Sequence, residues 1–125
     1  SGANVGGQAG TYGTLGVVSA SNVPGSRKSG TGQIDASGNL WLFGGSVPYG
    51  VVNDLWKYNI SSGQWTWMNG SKLLSQPSIY GTMGAAGTGI RGARQADVSW
   101  IDDSGNQWFF GGNEGGHRND LWRFK

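Results

Sequence analysis

One stretch of this chain is written twice. Ser37-Gly-Asn-Leu-Trp-Leu-Phe-Gly-Gly45, followed by Asn53-Asp-Leu-Trp-Lys-Tyr58, returns as Ser104-Gly-Asn-Gln-Trp-Phe-Phe-Gly-Gly112 and Asn119-Asp-Leu-Trp-Arg-Phe124. Tyr12-Gly-Thr-Leu-Gly16 returns as Tyr80-Gly-Thr-Met-Gly84, and Arg27 returns as Arg94. The period is about 67 residues, and a period of that kind marks a chain built from stacked supersecondary units. Whatever the unit folds into, the molecule holds two of it. The first is expected over 1–68 and the second over 69–125, each entered through a linking loop.

The unit is antiparallel β. Leu40–Phe43 and Gln107–Phe110 are short apolar runs ending in Gly-Gly. Gln64–Met68 places Trp65 and Trp67 on one face by the two-residue period of a strand. Asp35-Ala-Ser-Gly-Asn39 and Asp102-Asp-Ser-Gly-Asn106 have hairpin-turn composition, with Asp35 and Asp102 expected to cap the turn amides. Each unit therefore predicts an inner strand (Lys28–Ile34; Gln95–Ile101), a second strand (Leu40–Phe43; Gln107–Phe110), and a third (Asp54–Tyr58; Asp120–Phe124). A fourth, Gln64–Met68, occurs in the first unit alone, so seven strands are expected rather than eight. Ser29-Gly-Thr-Gly-Gln-Ile34 is poor strand sequence and is the weakest of the seven.

An apolar strand ending in Gly-Gly, then a strand with an aromatic at Tyr58 or Phe124, then one with Trp65, resembles the kelch repeat. The likeness is greatest to the long-repeat kelch proteins of bacteria, whose units carry Gly-Asn-Leu-Trp-Leu-Phe-Gly-Gly and Asn-Asp-Leu-Trp. The resemblance implies an all-β β-propeller in which each repeat is one four-stranded antiparallel blade. It gives two blades per chain, the second without its outer strand. Kelch blades serve many functions, so the fold names none of them.

Composition agrees with a β fold. Leu, Ile, Val and Phe together make up under a fifth of the chain, which alone would suggest disorder. However, the net charge is only +2 and seven Trp are present, so aromatics must carry the core. Twenty-five Gly disfavour helix and suit tight turns. The absence of Cys excludes disulfides and thiolate metal sites. No apolar run is long enough for a membrane-spanning helix. Arg27-Lys28 is the one adjacent basic pair, too sparse for a nucleic-acid surface. The sequence begins at Ser1 rather than Met and shows no signal-peptide pattern, so it reads as a processed or excised segment. Asn59-Ile-Ser61 and Asn69-Gly-Ser71 fit the glycosylation pattern, which matters only in a secreted eukaryotic setting, and both are also ordinary turn sequences; the expected location is secreted or cell-surface.

Catalysis is not expected, nor is a cofactor or resident metal. With one His and no Cys, the copper oxidases that share kelch blades are out of reach, since they need a Cys-crosslinked Tyr and two His. A Ser-His-Asp triad could form only around His117, and no nucleophile-elbow pattern accompanies it. Asp97, Asp102 and Asp103 offer oxygen ligands without a Ca²⁺ spacing. The structural set is Gly44, Gly45, Gly111, Gly112, Trp41, Trp108, Trp56, Trp122 and Trp65, with Arg27 and Arg94 expected to pair bidentately with Asp54 and Asp120. Tyr12 and Tyr80 repeat, so each is expected to pack a loop under its own unit. Any ligand is expected on the long-loop rim, at Tyr49, Tyr80, Arg91, Glu114, His117 and Arg118.

Two blades cannot close a ring, since propellers have about 4–8. The expected role is a non-catalytic structural or binding module that assembles with itself. Three chains would give six blades, or strand donation across the open edge would give a fibre. The alternatives are a carbohydrate-binding, lectin-like propeller stacking rings on sugars, and a fragment of a larger kelch protein. The expected partners are further copies of itself, and a glycan or protein at the rim.

Overall fold

The computed structural model describes residues 2–87 and 89–124. These residues contain no helix and form two antiparallel sheets. The first is β1 (Thr31–Ile34), β2 (Leu40–Val47), β3 (Gly50–Asn59) and β4 (Gln64–Asn69), in that spatial order. The second is β5 (Val98–Ile101), β6 (Gln107–Phe110) and β7 (Leu121–Phe124), again in order. Every neighbour in a sheet is its neighbour in sequence, because each connection within a sheet is short enough for a meander.

The turn after β1 is held by one carboxylate. Asp35 accepts from the backbone N–H of Ser37 and Asn39, from the Asn39 amide and from the Trp41 indole. Asp102 repeats the set with Ser104, Asn106 and Trp108. These donors all favour the ionised form. The Trp108 indole, and then Asn106, hold the Asp102 carboxyl down to about 2. Burial works against ionisation of Asp35, but Trp41 and Asn39 outweigh it and its pKa is also lowered.

The inner strands are shorter than Lys28–Ile34 and Gln95–Ile101. The cause is the same in both units: Ser29 (φ 55°) and Ala96 (φ 57°) are left-handed and turn the chain before the strand begins. Lys28 and Gln95 still pair with Ser46 and Asn113, as isolated bridges on the near side of that kink. The third strand of the second unit starts at Leu121, so Asp120 lies just outside it.

In the first unit, β2 and β3 run past their expected ends. β2 continues through a bulge at Gly44, which shifts the register between Phe43 and Gly45. β3 begins at Gly50, since Val51 and Val52 pair with Ser46 and Gly45. The connection between the expected second and third strands is therefore reduced to a tight turn at Pro48-Tyr49. Its counterpart in the second unit, 113–118, remains a loop crossed by the bridges Gln95–Asn113 and Asn113–His117.

The two sheets pack face to face. Thr31, Gln33, Trp41, Phe43, Leu55 and Lys57 share one face of the first sheet, by the pairing register. Phe43 and Leu55 bury against Phe109 of the second sheet, ringed by Trp41, Met68, Trp122 and Phe124. The Phe43 and Phe109 rings lie 4.9 Å apart. The backbones also meet: Gly45 donates to the Arg94 carbonyl at 2.8 Å, and Ala96 to the Ser29 carbonyl at 2.9 Å. A Cβ on Gly44 (φ 60°) would lie 2.6 Å from that Arg94 oxygen. Gly-Gly thus serves two ends at once, a left-handed bulge and room for the next unit.

Candidate functional site: the uncovered face of the second sheet

The repeated Arg and Asp form the anchor of each unit. Arg27 donates to both carboxylate oxygens of Asp54, at 2.6 and 3.0 Å, and to the Gly44 carbonyl. Arg94 does the same to Asp120 and to the Gly111 carbonyl. The tyrosines complete the anchor. Tyr12 donates to Asp54 and Tyr80 to Asp120, both at 2.6 Å, and Trp56 and Trp122 add indole donors. The hydrogen bond from Arg94, above all, holds the Asp120 carboxyl far below the usual carboxylate range. Burial raises the Tyr12 phenol, and its hydrogen bond to Asp54 raises it further. Asp54 is fully buried while the Asp120 side chain keeps 17% of its exposure, although the local sequence is the same.

Of the six residues expected on the rim, Glu114 meets Arg118, and Glu114 and Tyr80 both join the Arg94–Asp120 anchor, while Arg91 lies apart from them between the sheets. Tyr49 stands at the tip of the β2–β3 turn, 91% exposed. The Tyr80 hydroxyl is committed to Asp120. Glu114 accepts from the backbone and hydroxyl of Ser78, and lies 3.3 Å from Arg94 and 3.4 Å from Arg118. His117 is exposed on the 113–118 loop, with Arg118 beside it.

Arg91 is not on the rim at all. It is buried between the sheets, its guanidinium 4.1 Å from the Phe43 centroid and 4.9 Å from that of Phe109, and paired with Asp97. Asp97 also accepts from Thr31 across the interface, and Asn53 donates to the Arg91 carbonyl. Burial pulls Arg91 down to about 10, against the pull of Asp97. Sequence reasoning missed this contact because it is not repeated. Pro24 and Gly30 occupy the corresponding places in the first unit. The three aspartates considered for a cation are otherwise engaged or apart: Asp97 by Arg91 and Thr31, Asp102 by its turn. Among the described residues no three of His, Asp and Glu gather around one point.

What the repeat does expose is an inequality of surface. Phe43 is 6% exposed and its counterpart Phe110 44%; Leu55 is 3% exposed and Leu121 53%. Asn53 is buried and Asn119 exposed. Val98, Trp100, Phe110 and Leu121 thus form an apolar face at the back of the second sheet, where the first sheet has Thr31, Phe43 and Leu55 buried and Gln33 half-buried. A second apolar surface lies at the front of the first sheet. It is a shallow groove of about 660 Å³ lined by Gly32, Ile34, Leu40, Leu42 and Trp65, and also by Gln33 and Trp41, which belong to the opposite face by the pairing register. Its Leu42 corresponds to Phe109, the residue that receives Phe43 inside the chain.

No protein-family model matches the chain, and no curated protein matches it. No helix among the described residues is long and apolar enough to cross a membrane.

Proposed function

We propose that this chain is a non-catalytic, kelch-like structural and binding module that assembles head to tail with further copies of itself. The back of the second sheet takes the front of the first sheet of the next copy. One observation carries the reading: the same residues, Phe43 and Leu55, are covered in the first repeat and bare, as Phe110 and Leu121, in the second. Apolar faces of this kind mark association surfaces. The contact inside the chain supplies the template. In that register Phe110 meets Leu42 of the next copy, and Gly112 donates to its Arg27 carbonyl, as Gly45 donates to Arg94.

The two surfaces differ, so the interface is heterologous, and such interfaces form rings when the rotation closes. Three copies would supply six blades, within the usual range for a propeller. Light scattering tests this. The wild-type chain is expected as a discrete species of about three times 13.1 kDa. Phe110→Asp, whose side chain lies outside the internal interface, is expected to give a folded monomer. A wild-type chain that stays monomeric at every concentration would refute the reading.

A further inference from the structure

The extended hairpin of the first unit ends in an apolar tip that the backbone holds firmly in water. β2 and β3 run on to the turn at Pro48-Tyr49, where Tyr49 is 91% exposed. Loop 71–76 is tied to the same hairpin. Ser75 donates to the Val51 carbonyl at 2.7 Å, and a Cβ on Gly50 would lie 3.2 Å from that of Leu74. The loop is fixed at both ends as well. Ser71 donates its N–H to the Asn53 side chain at 2.9 Å, and Ala93 donates to the Gln76 carbonyl at 2.7 Å. Within it the Ser71 hydroxyl accepts from the Leu73 N–H, the Gln76 amide donates to the Leu74 carbonyl, and Ser75 is left-handed (φ 51°), which is uncommon for Ser. All this order leaves Leu73 62% and Leu74 40% exposed. Single apolar side chains in water need no explanation, but here two segments are bonded together to present a Tyr and two Leu.

The charge around the tip has one sign. Lys28 is exposed and bridges to Ser46 on one side of the hairpin, and Lys72 is exposed on the loop at the other. Neither 46–52 nor 70–78 contains an acidic residue. The opposite end of β2 carries Asp35, and the matching turn of the second sheet carries Asp102 and Asp103. β2 is eight residues long, so roughly 26 Å separates its two ends. The shape also selects the partner. Small-molecule sites are concave, and a stable protein interface needs a broad matched area. A protruding turn with an aromatic tip, flanking Leu and lysines on both sides suits a bilayer. Tyr sits at the headgroup level, Leu enters below it, and Lys meets anionic headgroups.

We infer that the Pro48-Tyr49 turn and loop 71–76 form a docking tip for an anionic lipid bilayer, Tyr49, Leu73 and Leu74 entering its interface and Lys28 and Lys72 facing its headgroups. The chain then lies on the membrane, with the Asp35 end of β2 turned away from it. The tip belongs to the rim and to neither apolar sheet face, so the inference does not rest on head-to-tail assembly.

The wild-type chain is sedimented in low-salt buffer with vesicles of phosphatidylcholine alone or of equimolar phosphatidylcholine and phosphatidylserine. It is expected to sediment with the mixed vesicles, to partition less onto phosphatidylcholine, and to be released by added salt. Tyr49→Ser and Leu73→Ser are each expected to lower partitioning at least about tenfold. Lys28→Gln with Lys72→Gln is expected to abolish the preference for the mixed vesicles. The chain has no Cys, so a nitrobenzoxadiazole label can be placed at Tyr49→Cys or, at the opposite end of β2, at Ser37→Cys. The label at 49 is expected to shift to the blue on the mixed vesicles and the label at 37 to stay unshifted. That contrast reads insertion directly, whether the chain is a monomer or a ring. Wild-type chain left in the supernatant of the mixed vesicles, undiminished partitioning of the Tyr49 and Leu73 variants, a preference that survives loss of both lysines, or equal shifts at 37 and 49 would each overturn the inference.

Discussion

Replacing Gly44 with Ala tests how the two sheets are held, because the repeat provides an internal control. Gly44 (φ 60°) and Gly111 (φ 71°) have almost the same backbone conformation. Alanine in that left-handed region costs roughly 1–2 kcal/mol at either site. The surroundings of an added Cβ are also alike on one side: the Val52 oxygen at 3.2 Å for Gly44 and the Arg118 oxygen at 3.0 Å for Gly111. They differ in one respect. At Gly44 the Arg94 carbonyl oxygen of the second sheet would lie 2.6 Å away. Backbone cannot rotate aside as a side chain can, so the sheets must separate there. That costs about 1–3 kcal/mol for overpacking and about 1 kcal/mol for the strained Gly45–Arg94 hydrogen bond. Gly44→Ala is therefore expected to destabilise by about 2–4 kcal/mol more than Gly111→Ala, a large share of a typical stability of about 5–15 kcal/mol. Urea unfolding followed by Trp fluorescence, in the Phe110→Asp background to keep chains apart, gives both numbers. Equal costs at the two sites would refute the close approach as the function of Gly44. In the unaltered background, Gly111→Ala is expected to weaken assembly, since the next copy's Arg27 would take the place of Arg94.

The anchors provide a second comparison. Asp54→Asn leaves the buried Arg27 guanidinium without its counter-charge and is expected to cost about 3–5 kcal/mol; Asp120→Asn should cost less, because water reaches that side chain, and a reversed order in urea midpoints would contradict the burial difference. The carboxylates also set an acid limit. Asp35, Asp102 and Asp120 all have pKa values below the ordinary 3.8 in the folded chain. Their contribution is fully present above that value and is lost as pH falls from about 4 toward about 2, since protonation then favours the unfolded chain. The urea midpoint is expected to drop through that window, and Asp102→Asn to flatten part of the drop; a midpoint unchanged across it would show that the turn hydrogen bonds are not formed in solution.

Much of the architecture is legible in the residues because it is local. The Asp35 and Asp102 turns, the apolar strands before Gly-Gly and the Arg–Asp anchors all recur at one period, and each arises from chemistry within one unit. Strand ends were less legible. Ser29 and Ala96 are not residues that announce a left-handed conformation, so the kink before each inner strand left no mark in composition. Pro48-Tyr49 makes a tight turn because Val51 and Val52 find partners across the Gly44 bulge, a pairing that neither segment declares alone. Arg91 lies in a long connection, which points to the rim, yet Phe43, Phe109 and Asp97 draw it between the sheets.

The sequence alone determined that this protein is two β units with the same turns, the same anchors and the same missing helices. Period and turn chemistry act over a few residues and need no partner to be read. Only the tertiary structure decided that matched residues of the two units are unequally buried. Phe43 and Phe110 are the same residue in the same motif, and Tyr12 and Tyr80 make the same bond. Burial, however, belongs to what packs against a residue, and the first unit has the second against it. Among the described residues the second unit repeats the chemistry of the first with the face that carries Phe110 and Leu121 exposed.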